Sequence, residues 1–122
     1  MQATTATKLA VKPISNLFKA LGDETRVRMV ALLTHGELCV CHLQAALDIS
    51  QPTASRQLAI LHRAGIVDRR RSGSWIYFRL ADHTDATCKQ QLAALCKSFA
   101  GVGTLKKDVA KLLKHMGPDS CL

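Results

Sequence analysis

The feature that most constrains this chain is the tripeptide Ser50-Gln51-Pro52, set between two apolar runs. A serine hydroxyl accepts a hydrogen bond from the N–H groups that open a helix, and proline fits the first helical turn, where an N–H has no partner to lose. A helix therefore starts here and runs to Ala64-Gly65. The preceding run, Leu38 to Leu47, reads as another apolar helix, stopped at Asp48-Ile49-Ser50. Two helices joined by such a short turn form a helix-turn-helix. Upstream, Ile14, Leu17, Phe18 and Leu21 recur at three- and four-residue steps from Pro13 until Gly22-Asp23 breaks the pattern. Asp23 caps a second helix carrying Val27, Val30, Ala31 and Leu33, and His35-Gly36 ends it.

Downstream the period changes from helical to two. Ile76, Phe78 and Leu80 alternate with Trp75, Tyr77 and Arg79, which is the pattern of a half-buried strand. With Ile66 to Arg71 across the turn-forming Ser72-Gly73-Ser74, this predicts a β-hairpin, and a hairpin after a helix-turn-helix is a wing. Leu92, Leu95, Cys96 and Phe99 mark a fifth helix; Leu105, Val109, Leu112, Leu113 and Met116 mark a sixth. The fold class is mainly α with a small β-hairpin, a winged helix-turn-helix. Aromatic residues are only 4 % of the chain, so its core rests on aliphatic side chains, as packed helices do. At 122 residues one domain is expected, over 13–116, with a flexible end at 1–12 and a tail at 117–122. The first and last helices are expected to form a homodimer interface, because one monomer can hardly cover both apolar faces.

On the helix opened by Ser50, Ala54, Leu58 and Leu61 share one face, while Pro52, Arg56, Ala59 and Arg63 lie opposite, flanked by Thr53 and Ser55. Slim residues let a helix backbone enter a major groove, hydroxyls bond phosphates or base edges, and arginine bonds guanine bidentately. Between Gln51 and Leu80 stand Arg56, Arg63, Arg69, Arg70, Arg71 and Arg79 against the single acid Asp68, in a chain of net charge +8. Gln51, Thr53, Ser55, Arg56, Arg63, Arg69, Arg70 and Arg71 are therefore the candidate contacts to double-stranded operator DNA. The bland reading is that these arginines solvate a helix and guard a strand edge. Trp75 and Tyr77 read as packing or rim residues.

Five cysteines, Cys39, Cys41, Cys88, Cys96 and Cys121, are an odd number in a chain large enough to fold without staples, and in a reducing cell they are expected as thiols. Thiolates prefer soft ions, and a pair one residue apart can chelate. The other reading makes Cys39 and Cys41 small buried hydrophobes. On a regular helix the two lie about 200° apart, so a shared ion would require the helix start to distort. Cys88 and Cys96, on an apolar face with Leu92, read as core residues, and Cys121 sits in the tail. His42 beside the helix start could be a further donor, though a solvated surface position is the stronger expectation; His35, His62, His83 and His115 are given no role.

The string Glu37-Leu38-Cys39-Val40-Cys41-His42-Leu43, with Ser50-Gln51-Pro52, Ser55-Arg56 and Arg71-Ser72-Gly73-Ser74-Trp75-Ile76-Tyr77-Phe78-Arg79-Leu80, resembles the ArsR-type family of metal-responsive repressors. The resemblance runs from about Leu17 to His83 and includes Leu17-Phe18-Lys19-Ala20-Leu21-Gly22-Asp23-Glu24-Thr25-Arg26. It implies a dimeric repressor that leaves its operator when an inducer ion binds. Its Cys-Val-Cys box is similar to the trivalent arsenic and antimony site of the arsenic sensors. The chain departs from those sensors in having His42 after the second cysteine and Gln44 where some place a third. A third thiolate would then come from Cys88, Cys96, Cys121 or an exogenous thiol, with Cys121 the candidate taken; two thiols alone suit a methylated arsenical. The family's zinc site of Asp and His pairs finds no match around Asp82 to Ser98.

No paired-carboxylate, Ser-His or glycine-rich phosphate signature points to an enzyme. No apolar run approaches a membrane span, and residues 1–13 lack a secretory stretch, so a cytoplasmic protein is expected. Two rivals share the DNA-binding reading: the same fold sensing zinc, cadmium or thiol oxidation, and a basic nucleoid-type protein with no ligand.

Overall fold

A computed structural model describes the backbone of residues 2–82 and 86–116. Helix α1 spans Gln2–Ala20 and α2 spans Glu24–Leu33; strand β1 is Leu38–Cys39; helices α3 (Val40–Leu47) and α4 (Gln51–Arg63) follow. Strands β2 (Val67–Ser72) and β3 (Trp75–Leu80) form the wing, and α5 (Ala86–Ser98), a single 3₁₀ turn (Phe99–Gly101) and α6 (Gly103–His115) complete the order.

The caps behave as the sequence dictates. Asp23 accepts a hydrogen bond from the Arg26 N–H at 3.1 Å, and Ser50 Oγ accepts one from the Thr53 N–H at 3.3 Å, with Pro52 in the first turn of α4. The turn between α3 and α4 passes through Asp48 in the left-handed region, φ 55°, a conformation aspartate tolerates better than most residues. Gly73, φ 62°, opens the two-residue turn of the wing.

Three boundaries differ from the sequence reading. Helix α1 begins at Gln2 rather than near Pro13, which lies inside it; Ala3, Ala6 and Ala10 favour helix, and the turn preceding Pro13 forgoes one hydrogen bond. The hairpin is part of a three-stranded sheet of order β1-β3-β2, in which Leu38 pairs with Phe78 and Cys39 with Tyr77. Cys39 is accordingly an extended residue, φ −85° and ψ 164°, and α3 starts only at Val40. Two residues before a helix can be captured by an adjacent strand edge, whose unpaired N–H and C=O groups need partners. The tail at 117–122, with Cys121, lies outside the described residues.

The core is aliphatic. Met29 and Leu32 of α2, Leu38 of β1, Leu43 of α3, Leu58 and Leu61 of α4, Ile66, and Leu112 of α6 are all fully buried together. Helix α6 packs on α2 and α3, whereas α1 packs on α5. One face of the last helix, with Leu105 and Leu112, packs inside the chain, while Leu113 and the following Met116 stay exposed, at 66 % and 43 %. Helix α1 likewise leaves Val11 and Phe18 exposed, at 67 % and 62 %.

Asp108 is buried in α6, and Arg28 of α2 holds it through two hydrogen bonds of 2.8 and 2.9 Å. Removing the guanidinium strands a desolvated carboxylate. Arg28→Ala should therefore destabilise the fold by about 2 to 3 kcal/mol, below the full cost of breaking a buried pair because Arg28 is partly exposed. Urea unfolding measures this; an unchanged midpoint would show that α6 is held by its leucines alone.

Candidate nucleic-acid interface and thiol site

Helix α4 is anchored by Ala54, Leu58 and Leu61, each with no exposed surface, which turns the opposite side outward. Gln51 and Arg56 are exposed there, and Thr53 and Ser55 are half-buried beside them. Gln51 Nε2 donates to Ser55 Oγ at 2.7 Å, and Ser50 Oγ lies 3.0 Å from Thr53 Oγ1, so the first turn is a small preorganised polar surface beneath Arg56. Arg63 is exposed at the far end and borders the cleft that α4 forms with Asn16 and Lys19 of α1. The arrangement gives the helix N-terminus, with its positive dipole end, polar groups able to meet base edges and phosphates.

A residue to which the sequence assigned no role ties this helix to α1. Arg26 of α2 donates from Nε to the Ala20 carbonyl at 2.6 Å and from Nη1 to Gln57 Oε1 at 2.6 Å. One guanidinium thus closes the end of α1 and grips α4, the geometry for which its fixed fork of donors is suited. The pattern Thr25-Arg26 carries no local sign of this, since Gln57 is 31 residues away.

The wing divides its arginines into two sets. Arg69 and Arg71 are exposed, and among the described residues neither forms an ion pair. Arg70 donates from Nε and Nη2 to the two carboxylate oxygens of Glu37 at 2.8 and 2.7 Å, and its guanidinium carbon sits 4.9 Å from the Tyr77 ring centre. The Arg70 cation holds the Glu37 carboxyl below its usual range. Arg79 lies 3.7 Å from both Asp68 and Asp82. Trp75 is at the turn, 38 % exposed, and Tyr77 is half-buried under Arg70.

Cys39 and Cys41 flank the junction of β1 and α3. Because Cys39 is extended and only Cys41 is helical, the 200° separation expected on a regular helix does not arise, and the helix start need not distort to bring the sulfurs together. Their Cα atoms are 5.4 Å apart, within the range of a disulfide, and the structure joins them as one. Thiols were expected from the odd count; the local geometry pairs these two regardless of that count. When reduced, the same proximity presents two sulfurs to one soft ion.

His42 is buried, not solvated as expected, and its Nδ1 accepts the Cys39 N–H at 3.2 Å. Burial pushes its pKa below the ordinary histidine value. One ligand atom from each of Cys39, Cys41 and His42 lies within 4.8 Å of the others. The missed signal was spacing: a side chain three residues after an N-terminal cap can reach back to the cap's own N–H. Cys88 is buried in the core cluster of α5 and its neighbours, Cys96 is half-buried and packs against that cluster, and burial raises the Cys96 thiol pKa. Neither belongs to the group formed by Cys39, Cys41 and His42.

A helix-turn-helix whose second helix faces outward beside a β-wing defines a winged helix-turn-helix DNA-binding fold. Residues 23–69 match the family model described as bacterial regulatory protein, arsR family. The arsenical resistance operon repressor of Escherichia coli (strain K12) is 52 % identical over 71 residues, 57 % of this chain and 61 % of that protein. The crystal structure of the transcriptional repressor BigR from Xylella fastidiosa is 36 % identical, with a TM-score of 0.61 over 81 % of this chain and 97 % of that one. The homodimeric winged helix-turn-helix DNA-binding domain of a possible ArsR-family regulator from Mycobacterium bovis, solved in solution, is 26 % identical, with a TM-score of 0.63 over 75 % and 82 %. This chain belongs to the ArsR family of bacterial regulatory proteins. It spans 51 to 61 % of the length of the arsenical-resistance relatives it matches. Family and relatives are regulators of transcription, not enzymes. Among the described residues no helix is long and apolar enough to cross a membrane.

The Arg26–Gln57 contact predicts a separation of effects. Arg56→Ala should weaken operator binding by about 1 to 3 kcal/mol, as loss of a base or phosphate contact does. Gln57→Ala should weaken it by less, and an added Arg26→Lys change should cost little more, because both remove one contact. Fluorescence anisotropy on an operator duplex measures both; wild-type affinity for Arg56→Ala would remove α4 from the groove.

Proposed function

We propose that this chain is a transcriptional repressor that binds operator DNA as a homodimer and is released when trivalent arsenic or antimony binds the Cys39 and Cys41 thiolates. The observation that carries the reading is the junction of β1 and α3, where the two sulfurs are already neighbours. Arsenite, As(OH)₃, condenses with two thiols to form two As–S bonds and release two waters. The third position on the ion is then open to an oxygen, to His42 once its Nδ1 gives up the Cys39 N–H, or to Cys121 of the tail. The resemblance of this chain to an arsenical resistance operon repressor supports the choice of ion.

Operator DNA would be met by Gln51, Thr53, Ser55 and Arg56 at the start of α4, with Arg63 at its other end and Arg69 and Arg71 on the wing. The exposed Val11 and Phe18 give α1 an apolar surface for the second subunit, and a solution structure of a homodimeric relative supports that stoichiometry. A regulator of this kind acts in the cytoplasm, where its operator is. A second reading is favoured by one observation, the Cys39–Cys41 disulfide. Oxidation of the dithiol, which releases two protons and passes two electrons to an oxidant, would make the same box a thiol-oxidation sensor.

Titration of an operator duplex under reducing conditions tests the first reading. Cys39→Ser and Cys41→Ser should each keep operator affinity and lose release by arsenite and antimonite, while Cys88→Ser and Cys96→Ser stay inducible. Normal release in both box variants would move the sensor elsewhere, and release by oxidant but not by arsenite in the wild type would establish the second reading. Sedimentation should give a dimer at micromolar concentration; a monomer there would refute the paired reading heads.

A further inference from the structure

The first cysteine of the box is a residue of the wing's sheet. Cys39 pairs with Tyr77, and Tyr77 pairs with Arg70, so the three side chains stand in one row on one face across β1, β3 and β2. The row is continuous at its outer end, where the Arg70 guanidinium lies over the Tyr77 ring at 4.9 Å. It is closed from the other direction by Glu37, two residues before Cys39, whose carboxylate takes both Arg70 hydrogen bonds at 2.7 and 2.8 Å. Arg70 is therefore held by both neighbours of the thiol site, Glu37 in sequence and Tyr77 in the sheet.

We propose that Glu37 and Arg70 are positioning residues that set the wing from the thiol site, and that Arg70 is not one of the wing's phosphate contacts. This rests on the Cys39–Cys41 pair being the inducer site. Two observations separate Arg70 from its neighbours. Its bidentate donors are spent on Glu37, whereas Arg69 and Arg71 are exposed with no ion pair among the described residues. Its pair with Glu37 is also partly exposed, 55 % and 29 % for the two side chains, so it adds little to stability, and its effect is geometric. An ion seated between the two sulfurs resets their spacing and so moves Cys39, a strand residue. That displacement passes to β3 through the backbone ladder and to β2 through Glu37 and Arg70, shifting Arg69 and Arg71 against the phosphates. Coupling of this kind needs a physically continuous element that both sites bias, and a strand shared by sensor and wing is one.

The chain's single tryptophan, Trp75, stands at the wing turn and reports on it directly. The decisive variant is the double change Glu37→Gln with Arg70→Gln, which removes the pair without altering net charge. Its operator affinity should show the wild-type salt dependence, whereas Arg69→Gln and Arg71→Gln should each flatten the slope by about 1.8, the value for one phosphate contact on each wing of the dimer. Arsenite should bind the double variant as it binds wild type, read from the ultraviolet absorbance of the As–S bonds. Arsenite should change Trp75 emission in the wild type and not in the double variant. The factor by which arsenite weakens operator binding, roughly 5- to 150-fold for a coupled pair of sites, should collapse in the double variant. It should also collapse equally in each single variant, since either one breaks the pair. A salt slope lowered in the double variant would return Arg70 to the phosphates and overturn the assignment. Full coupling, or an unchanged Trp75 response, in the double variant would equally overturn it. The salt-slope comparison uses no arsenite and so judges Arg70 independently of the inducer. A wild type that binds no arsenite would remove the inducer reading and the coupling together.

Discussion

The pairing of Leu38–Cys39 with Tyr77–Phe78 is the contact on which the arrangement of this molecule depends. It is only two residues long, yet it makes the connection between α2 and α3 part of a sheet and delays the start of α3 to Val40. Leu38 enters the same core as Phe78, Leu43 and Leu58, so the strand is fastened by burial as well as by backbone hydrogen bonds. Cys39 emerges from it extended, Cys41 follows on the first turn of a helix, and the two sulfurs meet. A helix begun two residues earlier would have sent them to opposite sides.

Around that contact the helices divide the work. The core face of α4 is filled by Ala54, Leu58 and Leu61, which leaves its polar N-terminal turn outward, and Arg26 ties it to the end of α1 through Gln57. Helix α6 lies across α2 and α3 and is locked by Asp108 and Arg28. The helix that carries Cys41 is thus supported on one side by α6 and on the other by α4. A change at the box has little freedom to dissipate in α3, because a close-packed core transmits displacement instead of absorbing it.

Charge follows the same logic. The wing's cluster of arginines reads along the chain as a uniform cationic strip, but the fold sorts it. Glu37 and Asp68 take Arg70 and Arg79, and the outward positive surface falls to Arg56, Arg63, Arg69 and Arg71. Interspersed acids of this kind keep some cations in structural roles and leave others for a polyanion.

The sequence by itself determined the elements that local chemistry controls: the caps at Asp23 and Ser50, the turn at Gly73, the buried face of α4 and the alternation of β3. Each depends on residues a few positions apart, where hydrogen-bond reach and side-chain period decide the outcome. It also exposed the Cys-Val-Cys box and the family to which the chain belongs. Tertiary structure alone decided that Cys39 is a strand residue, that His42 is buried, that Arg70 answers to Glu37, that Arg26 holds Gln57, and that α6 folds back on the chain. Those outcomes join residues about 30 to 80 positions apart, or depend on a strand edge formed by such residues. Nothing in a short window can encode them, because the free energy that selects them comes from burial and pairing between elements that meet only when the core closes.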